Sequence, residues 1–482
     1  MWVRKCYVDD ESDIQSPIQN CMSSNEEFIP PLQSAREREV EDRLRVMADR
    51  NARRLGVSRR RFLQSSCGMA ATMICFNKVF GKTYEVDPVE ALDPAAFEEH
   101  WPKSDFIFDN QTHHIDVENG WFEKTKAGRD AAAFLRNFRP NEKTTTASLE
   151  ALNQTHYVKE LFFDSDTVMA IISGVPSSSY QDDNILPPDK MVKTRNDINS
   201  WANSQRMLSH GLLRPNFGAA EFEEMERQNK VLKINSWKMY PGAEINKGAW
   251  WLDDEKVAYP FWERSRKLGI KNLCVHKGLP LGLFNEEHCH PRDVEKAAKD
   301  FPDLNFIIYH SGFNPAAKRT EEQAGNPQYI PWVSDLMDSV KRSSLKNVYF
   351  ELGSTWNFTS GNRPEVAMHL LGQLLNMGME NNIIWGTDSI WGGSPQSQIE
   401  RFRRFQIRDD VAEKYHYPKL TPEIKAKVFG LNAALIYKVD VNSKRAAIQN
   451  DKIARQREEY RQNAAPSNTQ FGWVWRSRGL RG

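Results

Sequence analysis

Five residues in four separate stretches carry the chemistry this sequence offers: Gln111, His113, His276, His310 and Asp388. They stand in Asp109-Asn110-Gln111-Thr112-His113-His114, Val275-His276-Lys277-Gly278, Tyr309-His310-Ser311-Gly312 and Trp385-Gly386-Thr387-Asp388. Each polar group closes a short apolar run. Imidazole nitrogens and a carboxylate are the ligands that Zn²⁺ and similar divalent ions prefer. An ion held there lowers the pKa of bound water and polarises a carbonyl.

Such residues act together only if the fold gathers them. Eight apolar runs predict strands at 105–113, 168–173, 207–213, 232–240, 272–276, 305–310, 347–352 and 382–387. Helical periodicity between them is clearest at 254–268, 291–300, 328–341, 364–377 and 396–406. Strand–helix alternation predicts a parallel sheet. Eight units predict an α/β fold of the closed (β/α)₈ TIM-barrel class, spanning 105–440. The rival, an open doubly wound sheet, calls for a Gly-rich turn after its first strand, and none is present. Strand ends in such a barrel ring one mouth. Side-chain alternation turns Asp109, Gln111 and His113 one way and Thr112 and His114 the other. A last helix begins at Thr421-Pro422, with Ile424, Val428, Leu431 and Leu435 on one face. Residues 441–482 read as a surface helix over 442–462 and a tail, in which Trp473 and Trp475 are candidates to dock on the barrel or on a partner subunit.

Taken in order, these motifs resemble the amidohydrolase superfamily, in its amidohydrolase-related branch of metal-dependent hydrolases and decarboxylases. The resemblance runs from about residue 105 to 439 and includes Val428-Phe429-Gly430-Leu431-Asn432-Ala433-Ala434. It implies Gln111, His113, His276 and Asp388 as metal ligands. It also implies Asp388 as general base and His310 as support for developing negative charge. The family has His-x-His where this chain has Gln111-x-His113, and an amide oxygen is a weaker zinc ligand than imidazole. Three readings follow. A divalent ion binds through Gln111 or through water, with Zn²⁺ expected first and Mn²⁺ or Mg²⁺ as alternatives. The chain works without metal. Or it only binds a ligand. The first is the expectation, because the other four residues are present.

Around the mouth, Lys238, Trp356, Trp391 and His288 are candidates to contact substrate; a barrel-layer salt bridge for Lys238 and plain packing for the tryptophans are the competing readings. Hydrolysis of a small carbonyl compound is the first expectation. Decarboxylation of an aromatic or unsaturated acid is the second, and a barrel that only binds its ligand is the third.

The first hundred residues differ in character. Ser58-Arg59-Arg60-Arg61-Phe62-Leu63-Gln64 before the apolar 65–76 resembles a twin-arginine export signal. It implies the twin-arginine translocase as a partner and a periplasmic or membrane-associated location. No small-residue cleavage site follows cleanly, and a start at Met47 is the alternative. Against that start, 34–55 reads as one charged amphipathic helix. Residues 1–57 are thus expected as an extension, 58–82 as the signal and 83–104 as a linker. The 482 residues carry 65 basic and 64 acidic side chains, so no nucleic-acid partner is expected. No apolar run reaches the roughly 20 residues of a membrane span. Six cysteines form no CxxC pair; a Cys274–Cys289 bridge is open, as is a homo-oligomer.

Overall fold

The computed structural model describes residues 2–4, 15–18, 32–101, 103–118, 120–135, 149–177, 184–244, 248–280, 284–463 and 473–475. Eight parallel strands follow one another around a ring: β1 (Phe108–Thr112), β2 (Met169–Ile172), β3 (Met207–Leu212), β4 (Ser236–Met239), β5 (Asn272–His276), β6 (Asn305–Tyr309), β7 (Val348–Glu351) and β8 (Ile383–Ile384). Each lies inside its predicted run. Strands covered on both faces read as nearly unbroken apolar runs, which is why they were visible. Although β8 is short, the chain beyond it closes the ring on β1. Asn110 N donates to Trp385 O at 3.0 Å, Asp388 N to Gln111 O at 2.9 Å, and Ile390 N to His113 O at 3.2 Å. Closure removes both sheet edges. The fold is a (β/α)₈ barrel with a helical C-terminal region.

Helices Tyr259–Leu268, Val294–Asp300, Val333–Arg342, Pro364–Asn376 and Gln396–Arg404 cover the barrel. The first starts later than its periodicity suggests. Asp254 accepts from the backbone N–H of Lys256 and Val257 at 2.8 and 3.0 Å, so this stretch turns before it coils.

The last barrel helix corrects the sequence reading. Thr421 caps it and Pro422 opens it, but a π turn, Lys427–Leu431, interrupts it before Asn432–Ile436. The extra residue rotates the buried face. Val428, Ala433 and Ala434 are buried, whereas Leu431 and Leu435, expected in the core, are exposed. Gly430 explains the approach: a Cβ there would meet Phe106 O at 2.0 Å.

Beyond it, the single helix expected over 442–462 is two, Val441–Ile448 and Lys452–Asn463. Asp451 stands between them and forms a buried two-point ion pair with Arg206, with N···O distances of 2.6 and 2.8 Å. Trp473–Trp475 pairs antiparallel with Trp2–Arg4; where its side chains dock lies outside the described residues. Cys67, Cys75, Cys274 and Cys289 are free thiols, so the Cys274–Cys289 bridge is not formed.

The N-terminal segment is built into the same core. Ser34 and Glu37 cap helix Ala35–Arg54 reciprocally. Helix Ser66–Phe80 buries Met69, Met73, Phe76 and Phe80. Phe76 meets Tyr84, and Tyr84 meets Phe405, each at 6.0 Å between ring centres. The Tyr84 hydroxyl donates to Ser360 O at 2.5 Å, and Arg404 forms a buried ion pair with Glu90. The stretch expected as a linker contains the short helices Pro88–Ala91 and Pro94–His100. Among the described residues no helix is long and apolar enough to cross a membrane.

This packing generates a prediction. Phe76→Ala opens a cavity between two helical layers and is expected to cost about 3–5 kcal/mol, read as a lower denaturation midpoint of the whole barrel. An unchanged midpoint would mean that Ser66–Phe80 is not docked on it.

Candidate active site at the barrel mouth

Gln111, His113, His276, His310 and Asp388 arrive at the mouth from β1, β5, β6 and the chain after β8. Four of them touch. Gln111 Nε2 donates to Asp388 Oδ1 at 2.8 Å, and His113 Nε2 lies 3.2 Å from the same oxygen. Gln111 Nε2 is also 3.4 Å from His310 Nε2 and 3.5 Å from His113 Nε2. His113 Nδ1 faces Ser173 O at 2.9 Å; a carbonyl oxygen only accepts, so this nitrogen carries a proton. As alternation requires, Thr112 and His114 turn away. Thr112 bonds Tyr157 and the Ile171 carbonyl, and His114 bonds Thr194 and the Ile115 carbonyl.

Backbone shape aims the acidic end. His310 and Asp388 both have left-handed φ, 59° each, a conformation uncommon for side-chain-bearing residues and enriched at functional turns. Gly386 permits the approach of β7: a Cβ there would lie 1.7 Å from Glu351 Oε1. Asp109 organises the turn from behind, accepting from Thr387 N at 3.0 Å, from Gln111 N at 3.2 Å and from the Thr387 hydroxyl.

Ser354 escaped the sequence reading. Its hydroxyl donates to Asp388 Oδ2 at 2.6 Å. It follows β7, and reading that strand's end as the others were read would have found it.

Electrostatics separates the acids. Burial pushes the Asp388 carboxyl up, but the hydrogen bond from His113, the charges that His310 and His113 bear when protonated and the Ser354 hydroxyl outweigh it and hold Asp388 below the usual carboxylate range. Glu351 is pushed well above its ordinary value by burial, which the bond from His310 N at 3.0 Å does not offset. Asp109 is raised to about 7, again by burial. Burial lowers His310 to about 4 and takes His276 well below its usual value, so both are neutral at pH 7. The Asp388 side chain is 16% exposed and His113 only 3%; Asp388 is therefore the more exposed member of the pair.

The predicted metal ligands do not converge on one point. His276 directs Nε2 to Leu279 O at 2.9 Å, and its ring stacks edge-on to His310 at 4.8 Å. Among the described residues no group of three or more His, Cys, Asp or Glu is placed to hold a metal ion. The donor set as arranged does not fit one.

The substrate candidates divide. Lys238 is fully buried, its ammonium has no hydrogen-bond partner, and it lies 3.4 Å over the Tyr309 ring and 4.7 Å over Tyr240. Burial lowers it to about 7. Among the described residues, the barrel-layer salt bridge considered for it is not formed. It lines a partly open cavity with Val175, Leu212, Leu213, Tyr240 and Trp250. Tyr240 lies 5.4 Å from His276, which ties the cavity to the cluster. Trp391 stacks on His113 at 5.2 Å. Trp356 is a correction. It is buried among Phe402 and Phe405 and donates to Gln398 O, so it packs the helical layer and walls no pocket. His288 stacks on Trp251 at 4.2 Å and bonds Asn285, away from the cluster.

With the geometry in place, comparison with known proteins is informative. The sequence model of the family Amidohydro_2, an amidohydrolase family, matches residues 194–439. The chain belongs to that family. No curated protein matches it. Similar solved structures include 2,6-dihydroxybenzoate decarboxylase from Rhizobium (16% identity, 70% of this chain and 99% of that one, TM-score 0.43). Another is a dihydroxybenzoic acid decarboxylase from a Polaromonas species with bound manganese (16%, 70% and 99%, 0.40). A third is 4-oxalomesaconate hydratase from Rhodopseudomonas palustris (14%, 70% and 98%, 0.41).

The Glu351 shift has a definite sign. The unfolded chain releases this proton near 4.5, the folded chain only well above that. The stabilisation is therefore complete below pH 4.5 and is lost as pH rises through the folded value. Glu351→Gln should remove this decline and leave the protein more stable at pH 8 in urea titrations; a larger decline would show Glu351 to be ionised in the fold.

Proposed function

We propose that this protein is a hydrolase that attacks a carbonyl group of a small carboxylic acid with water activated at Asp388. What carries the reading is the Asp388 carboxylate itself, charged at physiological pH, hydrogen-bonded on both oxygens, and the most exposed member of the buried pair it forms with His113.

In the forward step the water oxygen bonds to the carbonyl carbon and its proton passes to Asp388. A carboxylate held this low is a weak base alone, so Asp388 acts by orienting the water and accepting its proton as the bond to carbon forms. When the tetrahedral intermediate collapses, the bond to the leaving group breaks and the proton leaves with that group. Neutral His310 stands beside the reacting oxygen without adding a competing positive charge. Lys238 supplies the charge that selects an acid. It is buried, hydrogen-bonds to nothing and lines the adjoining cavity, and a substrate carboxylate would complete it.

A second reading, loss of CO₂ from the acid, is favoured by the same lysine, since it would hold the departing carboxylate. Screening lactones, amides and ¹³C-carboxyl-labelled acids separates the two: hydrolysis gives two products or a ring-opened acid, and decarboxylation releases labelled CO₂. Asp388→Asn is expected to lower turnover about 10²–10⁴-fold with an unchanged melting curve; retained turnover would remove Asp388 from the mechanism. Lys238→Met is expected to raise KM for acids far more than for their amides.

Export by the twin-arginine pathway, to the periplasm or its membrane, belongs to the same proposal and rests on Ser58-Arg59-Arg60-Arg61-Phe62-Leu63. Because Ser66–Phe80 packs into the core, the form expected in the native compartment keeps it. N-terminal sequencing that begins at Lys82 or later would refute this.

A further inference from the structure

Three polar atoms of the mouth surround a common centre, at distances too long to ligate an ion as they stand, and a side-chain nitrogen occupies it. Asp388 Oδ1, His310 Nε2 and His113 Nε2 stand 2.8, 3.4 and 3.5 Å from Gln111 Nε2. An amide nitrogen has two N–H donors and no lone pair to give to a cation. A metal ion approaching these three atoms would have to displace it.

We propose that the Gln111 amide stands where a metal ion would, as a neutral two-donor bridge, and that this centre holds its shape and works without metal. The inference rests on the same site as the proposed activity but makes a separate claim about it.

Three further observations support it. The valence of the anion is already met: Asp388 Oδ1 takes the Gln111 bond and faces His113, while Oδ2 accepts from Ser354 at 2.6 Å. The residue that carries the amide is held in place. Gln111 is 2% exposed; its backbone N–H donates to Asp109 and its backbone carbonyl accepts from Asp388 N at 2.9 Å, which fixes the main chain from which the side chain extends. Gly353 and Gly386 leave the space that the side chain fills: a Cβ on Gly353 would meet Gln111 Oε1 at 2.8 Å, and a Cβ on Gly386 would meet Gln111 Cβ at 3.2 Å. Finally, the remaining predicted ligand, His276, directs Nε2 to Leu279 O, and among the described residues no group of three or more His, Cys, Asp or Glu is placed to hold an ion.

The test is metal content of the full chain. Wild-type protein purified without chelators, dialysed against Mn²⁺ or Zn²⁺ and desalted, is expected to hold less than about 0.1 equivalent, with a melting temperature indifferent to either ion. Gln111→His and Gln111→Glu replace the donor by a ligand. Each is expected to acquire up to one equivalent and to melt several degrees higher with the ion than without it. About one equivalent in the wild type, lost in Asp388→Asn, would overturn the inference. So would a melting shift with either ion in the wild type that Gln111→Ala abolishes. If the two replacement variants do not fold, the wild-type measurement decides alone. None of these readouts uses turnover, so the inference can fail while the hydrolytic reading stands, and the reverse.

Discussion

The bonds that join β1 to the chain after β8 hold the rest in place. Asn110 N to Trp385 O, Asp388 N to Gln111 O and Ile390 N to His113 O turn a row of strands into a ring. They also set the register between Gln111 and Asp388, side chains 277 positions apart in sequence. A sheet edge left open there would expose unpaired backbone groups and free Asp388 from its partners. The short-range devices serve this closure. Asp109 ties Thr387 and Gln111 from below, Gly386 lets β7 approach, and Gly430 lets the last helix close on the floor at Phe106. The π turn at Lys427–Leu431 is the local consequence, since the helix must meet that floor at one point and turn a different face beyond it.

Inside the ring, polar groups are placed where water is absent, so each needs a partner or must stay neutral. Asp388 keeps its charge because three donors surround it. Glu351 and the histidines His276 and His310 give theirs up. Lys238 is left over, with aromatic faces beneath it and no hydrogen-bond partner among the described residues. This imbalance between a satisfied anion and an unsatisfied cation gives the mouth its direction. In the proposed function, proton transfer falls to Asp388 and recognition of an acid to the cavity beside Lys238.

How much of this was legible beforehand differs by element. Strand positions were, because burial on both faces leaves a run of apolar residues that periodicity cannot disguise. Helix starts were not, where a side chain such as Asp254 captured the backbone first. The buried face of the final helix was misjudged because a π turn leaves no mark on 3.6-residue spacing. Trp356 was misplaced for a similar reason: a tryptophan after a strand can face the mouth or the helices, and only packing against Phe402 and Phe405 chooses.

By itself the sequence determined the barrel, the order of its strands and the set of residues at their ends, since hydrophobic patterning and alternation are local properties of the chain. It also marked Gln111 as the departure from the His-x-His of the family it resembles. The tertiary structure decided what Gln111 meets. Whether Gln111 offers an oxygen to an ion or a nitrogen to Asp388 depends on atoms brought from β6 and β8 across the ring, and no local rule orders them. The same holds for Lys238, whose missing partner is a fact about the whole interior, and for helix Ser66–Phe80, whose apolar surface reads as a leader in sequence and packs as core in space.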